Sequence, residues 1–322
     1  MLCGILKKFL VSSQFVLILF FLVSCSVSRR ISTDEKDATH FVINKMNKMV
    51  LKDISVNGGT ATGDFLFITY PSNRLVLDKS IAYKIFPNLN TIRKNSTHYL
   101  QDVYLIVGGK QIKYSGFEVD NILDKYKCLG ILSIPQFDAH AWYIKFSNCT
   151  IKLEDAPCDK KQYDYSFRMA YGATDYNGYY ADFLIRLSNG TNSIKKESEC
   201  LHVLDTGSPY DFVLIGDMYR SDLIKFLQEH SLSKHKDKPD QSGMTKTLFR
   251  INEADIVNDL IDIEYQEYKG EYDKIPVAGT VGLGFLKRFN IVIDLTNNPK
   301  GDPILAGYLC LKKNDKRKRI RL

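Results

Sequence analysis

Two stretches of this chain pass through the same features in the same order, and that repeat restricts its fold more than any single motif does. The first begins with Leu51-Lys52-Asp53-Ile54-Ser55-Val56, whose spaced apolar residues lead into Asn57-Gly58, a hairpin signal. A second strand-like run, Phe65-Leu66-Phe67-Ile68, leads to Thr69-Tyr70-Pro71-Ser72. Leu75-Val76-Leu77 follows, then a helix predicted from Asp78 as its cap, with Ile81, Ala82 and Ile85 on one face. The second stretch opens with Phe183-Leu184-Ile185-Arg186-Leu187 before Asn189-Gly190. It continues through Leu201-His202-Val203-Leu204 to Asp205-Thr206-Gly207-Ser208, then through Phe212-Val213-Leu214 to Asp217 and a helix carrying Tyr219, Leu223, Phe226 and Leu227. Both close alike. The first has Leu129-Gly130-Ile131-Leu132 and then Trp142-Tyr143-Ile144-Lys145-Phe146. The second has Val281-Gly282-Leu283-Gly284-Phe285-Leu286 and then Phe289-Asn290-Ile291-Val292-Ile293-Asp294.

Short apolar runs separated by turn residues predict strands over most of both stretches. A hydrophobic content of 44% against 25% charged residues is that of an ordinary globular protein, so each half can bury a core. The expected organisation is a first lobe over residues 51–155, a connector over 156–174 and a second lobe over 175–310. Ser231 to Gly243, rich in Lys, Asp, Ser and His, reads as a solvated loop within the second lobe.

From Leu204 to Ser208 the second stretch resembles a lobe of the aspartic proteases of the retropepsin and pepsin type. In that family an apolar strand runs into an Asp-Thr-Gly turn, and an apolar-apolar-Gly motif packs beneath it, as Val281-Gly282-Leu283 does in sequence order here. The first stretch resembles the same lobe more weakly, and together they cover about Leu51 to Leu309. The resemblance implies a mainly β fold of two acid-protease-like β-barrel lobes with short helices, related by a pseudo-twofold axis. It also implies the chemistry. Two carboxylates share one proton and one water; the ionised one activates the water and the protonated one polarises the scissile carbonyl. Asp205 is then the catalytic carboxylate, with Thr206, Gly207 and Ser208 in support: glycine admits the backbone close to the carboxylate, and threonine hydrogen-bonds across the lobes. The resemblance implies no cofactor and no metal. Val103 to Val107 and Gln111 to Tyr114, joined by Gly108-Gly109, read as an ordinary surface hairpin, or by family analogy as a flap over the cleft.

One lobe departs from the pattern. Laid against the second stretch, Thr69-Tyr70-Pro71-Ser72 falls opposite Asp205-Thr206-Gly207-Ser208, which sets Thr69 where the first catalytic Asp is expected. A threonine hydroxyl is too weak an acid to share that proton, and Pro71 has no N–H to donate. Asp64 belongs on the entering strand and Asp78 on the helix cap, so neither replaces it. Two functions remain open. One is a degenerate peptidase whose inter-lobe cleft binds a peptide or protein segment in extended form. The other is an active endopeptidase in which a homodimer supplies a second Asp205. A third reading keeps only a β-rich envelope protein with an Asp-Thr-Gly turn, but leaves the paired hairpins unexplained. His202 reads as a packed core residue.

The ends are of a different kind. Residues 1–24 carry Lys7 and Lys8 ahead of an apolar run from Phe9 to Val23, and Leu22-Val23-Ser24-Cys25 resembles the lipobox of bacterial lipoproteins. That resemblance implies cleavage before Cys25, lipid on its sulfur and a membrane-anchored protein of the cell envelope. Ser26 favours the outer membrane. Residues 25–50 are then a lipidated tether with one short helix near Phe41 to Met49. The formal charge is +7, and loss of Lys7 and Lys8 with no acid leaves +5. Much of that sits in a basic tail over 311–322, read as a solvated end. An exported location argues against a nucleic-acid partner. Seven cysteines are present. Cys3 leaves with the leader and Cys25 takes the lipid. The odd remainder (Cys128, Cys149, Cys158, Cys200 and Cys310) is no disulfide scaffold, although Cys149 and Cys158 bridge if the chain turns back. With no CxxC and no HExxH, a zinc site has little support.

Overall fold

Apolar side chains set at strand spacing have one way to be buried together: pleated strands laid against one another with alternate residues facing inward. The computed structural model of the chain is built this way. It describes residues 37–71, 74–92, 94–95, 98–135, 138–172, 183–188, 199–215, 242–251, 254–266, 277–296 and 305–314. The leader, Cys25, the Asn189-Gly190 turn, the Asp217 helix, most of the Ser231–Gly243 segment and residues 315–322 lie outside these.

The first lobe holds strands β1 (Thr39–Ile43), β2 (Met49–Val56), β3 (Ala61–Pro71), β4 (Arg74–Asp78), β5 (Lys94–Asn95), β6 (His98–Tyr99), β7 (Val103–Val107), β8 (Lys110–Tyr114), β9 (Gly116–Asp120), β10 (Gly130–Ile134), β11 (Ala141–Lys145) and β12 (Thr150–Glu154). Helix α1 (Lys79–Ile85) follows β4, and α2 (Ile122–Tyr126) follows β9. The second lobe holds β13 (Tyr165–Tyr171), β14 (Phe183–Ser188), β15 (Glu199–Asp205), β16 (Phe212–Ile215), β17 (Ser242–Ile251), β18 (Ala254–Gln266), β19 (Val277–Gly282), β20 (Phe289–Asp294) and β21 (Leu305–Lys313), with helix α3 (Leu283–Leu286) before β20.

The pairings repeat strand for strand. In the first lobe β10 lies parallel to β3 and antiparallel to β4, and β4 is parallel to β9. In the second, β19 lies parallel to β15 and antiparallel to β16, and β16 is parallel to β18. The lobes share an antiparallel platform in the order β1-β12-β11-β20-β21-β13. Its centre lies between β11 and β20, where Tyr143 faces Val292. Rotation about that centre exchanges β1 with β13 and β12 with β21. Both outer strands then leave the platform in the same way, β1 to pair with β2 and β13 to pair with β14. The fold is mainly β with two related lobes, as the repeat predicts.

Several boundaries differ from expectation. The helix expected over Phe41 to Met49 does not form, and the first described strand starts at Thr39, ahead of the Leu51 expected to open the lobe. Phe41-Val42-Ile43 favours a strand, and Asn44 closes a tight turn by accepting from the Met46 and Lys48 amides at 3.0 and 2.9 Å. The segment expected as a connector contains β13, an outer strand of the platform. Leu311 to Lys313, expected in the tail, complete β21, and Leu311 is buried. The Gly108-Gly109 hairpin is no flap. Its tip is docked on the platform, with the Gly108 amide donating to Thr39 Oγ1 at 2.8 Å and its carbonyl accepting from the Leu153 amide at 3.0 Å. The predicted cap of α1 is present: Asp78 Oδ1 accepts from the Ser80 amide at 2.9 Å, and its other oxygen accepts from the Leu123 amide at 2.8 Å.

Trp142 on β11 is fully buried and stacks on Phe67 of β3 at 5.6 Å. Its indole N–H donates to Asp138 Oδ2 at 2.5 Å, while Asp138 Oδ1 meets His140 Nδ1 at 2.7 Å. The hydrogen bond to Asp138 raises the His140 pKa against the opposing effect of burial. A raised folded-state pKa contributes stability that is fully present below the ordinary imidazole value of 6.5 and is lost as pH rises through the folded value. Melting curves from pH 5 to 9 are therefore expected to show a stabilisation on the acid side that His140→Gln removes. Parallel profiles for the two proteins would count against this linkage.

Candidate functional site

The end of strand β3 meets the turn that follows β15 across the lobe boundary, and the hydroxyls of two threonines join them. Thr69 Oγ1 donates to the Leu204 carbonyl at 2.8 Å and accepts from the Thr206 amide at 3.0 Å. In return Thr206 Oγ1 donates to the Phe67 carbonyl at 3.4 Å. Both threonines are fully buried. Each hydroxyl thus reaches the carbonyl two residues before the opposite threonine, which makes Thr69 the counterpart of Thr206.

The register of the sheets agrees. Ile68 lies opposite Ser133 as Asp205 lies opposite Gly282, and Phe67 lies opposite Leu132 as Leu204 lies opposite Val281. Ile68 therefore occupies the position related to Asp205, and the expected equivalence of Thr69 with Asp205 is off by one residue. Tyr70 stands at the place of Gly207, and Pro71 at that of Ser208. A signal for this register was present in the chain: Ile68 precedes Leu75 by the same seven residues that separate Asp205 from Phe212. The Gly motif of the first lobe shifts as well. Gly130 faces Phe65 and Leu77, as Gly279 faces His202 and Leu214, so Ser133 rather than Gly130 stands where the second lobe has Gly282.

Asp205 and Ile68 are both partly exposed between buried neighbours. Gly207 lies between the two. A Cβ there would sit 2.8 Å from Asp205 Oδ1 and 3.3 Å from Ile68 Cγ2, so a side chain at this position would push the carboxylate aside. The Gly207 amide donates to Asp205 Oδ1 at 2.6 Å, and the Ser208 amide to the Asp205 carbonyl at 3.2 Å. Beneath the turn, the Leu283 amide donates to the Ser208 carbonyl at 2.9 Å and the Gly284 amide to that of Tyr210 at 3.1 Å. A Cβ on Gly282 would fall 2.2 Å from the Tyr210 carbonyl oxygen, which is why a glycine is needed here. Behind it, the side chains of Asp211 and Arg288 form a buried ion pair. His202 is fully buried in β15, in keeping with a packed residue.

The turn between β1 and β2 also reaches this site, and it was missed because the segment read as a tether. Lys48 Nζ donates to the Gly207 carbonyl and Asn47 Nδ2 to the Pro209 carbonyl, the latter at 2.6 Å. An ammonium group is thereby brought to the turn that carries Asp205. Among the described residues, no three His, Cys, Asp or Glu side chains are grouped as metal ligands.

The threonine clasp can be tested on its own. Thr69→Val leaves the buried Leu204 carbonyl and Thr206 amide without that partner, a cost of about 1–3 kcal/mol per unsatisfied group. Thr69→Ser keeps the hydroxyl and should recover most of the loss. Denaturant titrations followed by the single tryptophan, Trp142, report it directly. Equal stability of the Val and Ser variants would remove the clasp from the account of how the lobes hold together.

No protein-family profile matches the chain, and no curated protein matches it in sequence. Solved structures do. The aspartic proteinase from Irpex lacteus is 14% identical over 87% of this chain and 96% of its own, at a TM-score of 0.45. Basic 7S globulin from soybean is 9% identical over 86% of this chain and 94% of its own, at a TM-score of 0.50. Identities this low speak to fold alone. The chain has a mainly β, aspartic-protease-like fold.

Proposed function

We propose that this protein holds extended peptides in the cleft between its lobes and, as a monomer, does not hydrolyse them. The observation that carries this reading is the apolar Ile68 at the position related to Asp205. A hydrocarbon cannot share a proton with Asp205, so no acid stands ready to polarise the scissile carbonyl or protonate the leaving amine. The pattern of loss supports it further. The first lobe keeps Thr69, which serves the clasp, and has Ile68, Tyr70 and Ser133 where the second lobe has Asp205, Gly207 and Gly282. The clasp is kept, and the carboxylate is not. An extended ligand would pair its backbone with strand edges in the cleft, with Asp205 and the Lys48 ammonium as fixed charges for its polar groups. Dimer-dependent cleavage is harder to build: a second Asp205 would have to displace β3 and part both the clasp and the β11–β20 pairing.

The test is digestion of a broad peptide library from acidic to neutral pH by protein shown to be monomeric by light scattering. No cleavage is expected, together with measurable binding of a subset of peptides that Asp205→Asn weakens. Cleavage that Asp205→Asn abolishes would overturn the reading, and activity confined to concentrations at which dimers form would favour the homodimeric peptidase.

The proposal includes a lipid anchor on Cys25 and a place in the bacterial cell envelope, supported by Leu22-Val23-Ser24-Cys25 after an apolar run. Intact mass of membrane-extracted protein is expected to show an acylated N-terminal Cys25, and Cys25→Ala should release unacylated protein. A mature N-terminus elsewhere would rule the anchor out.

A further inference from the structure

The thiols of Cys158 and Cys310 face each other with their sulfurs 3.1 Å apart, and both are buried. Cys158 lies ahead of β13, and Cys310 lies within β21. Neither is loosely held. The Cys158 amide donates to Asp294 Oδ2 at 3.0 Å. The other Asp294 oxygen is fixed by the Thr296 amide at 3.1 Å and hydroxyl at 2.6 Å. Cys310 sits between strands on both sides, opposite Val292 of β20 and Ser166 of β13. Of the other cysteines whose side chains are described, Cys149 is exposed in the turn before β12, and Cys128 packs in a separate cluster with Val50 and Leu66. The bridge between Cys149 and Cys158 that the sequence left open is therefore not the pairing this arrangement favours.

We infer that Cys158 and Cys310 are a structural disulfide site, closed by exchange with a small-molecule or protein disulfide. One cysteine thiolate attacks the oxidant disulfide, forming a mixed disulfide and releasing one thiol. The second cysteine attacks the mixed disulfide, forming the Cys158–Cys310 bond and releasing the other thiol; the two protein thiols lose two electrons and two protons, and the oxidant gains them. Either thiol can be the first nucleophile, because each can donate its S–H to the other across the 3.1 Å contact. The bond would join residues 152 positions apart, so almost the whole second lobe would lie inside one covalent ring that starts and ends on the platform. Rings this long remove much freedom from the unfolded chain. The effect is to keep the second lobe from peeling off the platform, whatever the cleft binds.

Full-length protein is equilibrated in reduced and oxidised glutathione, quenched with acid, alkylated with N-ethylmaleimide in denaturant, and digested without reductant for mass spectrometry. The expected product is one cross-linked peptide pair containing Cys158 and Cys310, with Cys128 and Cys149 alkylated. The wild-type Tm should fall by several degrees on reduction, and that of the Cys158→Ala/Cys310→Ala double variant should not move. Recovery of Cys158 and Cys310 as alkylated thiols in the most oxidising buffer would overturn the inference, as would a Cys149–Cys158 cross-link. A reductant-insensitive wild-type Tm would overturn its structural role.

Discussion

Ile68→Asp combined with Tyr70→Gly is expected to give this chain a peptidase activity at acidic pH at least ~10²-fold above that of the unsubstituted protein, in line with the effect of one positioned acid or base. Ile68 is the position that the clasp and the sheet register set against Asp205, and Gly207 shows what the neighbouring position requires. Two carboxylates brought together there cannot both ionise readily, so one pKa rises and a shared proton becomes available. The sign fixes the pH range. The pair is competent between its two pKa values, where one carboxyl is protonated and the other ionised; below both no base remains, and above both two like charges face each other and activity and stability fall. Thr69→Asp combined with Pro71→Gly is the informative control. It puts the new acid at a fully buried position that carries the clasp, so loss of stability without activity is expected. A fluorogenic peptide assay and a melting curve on both variants decide between the two registers. Activity in the Thr69 variant and none in the Ile68 variant would overturn the register assigned here.

Trp142→Ala is expected to be the most destabilising single change in the platform. The side chain is fully buried, stacks on Phe67 and anchors Asp138, so its removal combines a large cavity with a carboxylate oxygen deprived of its donor. Replacing a buried aromatic of this size by alanine costs about 3–5 kcal/mol. That is a large share of the roughly 5–15 kcal/mol that keeps a typical domain folded. Since about 1 kcal/mol moves the midpoint of a protein this long by about 2–4 °C, a fall of roughly 10 °C is expected by circular dichroism. Trp142→Phe keeps the stack on Phe67 and loses only the N–H donor, so it should cost less. A Trp142→Ala variant that melts within about 2 °C of the parent, less than 1 kcal/mol is worth here, would mean that the platform repacks around the gap.

What the amino-acid sequence determined by itself was local or repeated. Apolar alternation before Asn57-Gly58, the apolar run into Asp205-Thr206-Gly207 and the cap at Asp78 each depend on residues within a few positions of one another. The repeat then related the two sets without any coordinates. From these came the two β lobes, helix α1 and the turn that carries Asp205.

Only the tertiary structure decided the register between the lobes and the places of the segments at their edges. Matching Ser72 to Ser208 gave one alignment, and matching Leu75 to Phe212 gave another one residue away. Either was open in sequence. The choice is made across the lobe boundary, where Thr69 and Thr206 have one geometry in which each hydroxyl reaches the opposite carbonyl. Residues 39–50 read as a polar tether because their partners, β12 for one part of β1 and β2 for the other, are set by long-range pairing. Cys158 and Cys310 likewise come together only when β20 and β21 close the platform. A strand's inner face can be read from its own residues, but its neighbours, and so what stands opposite Asp205, are fixed by contacts between residues far apart in the chain.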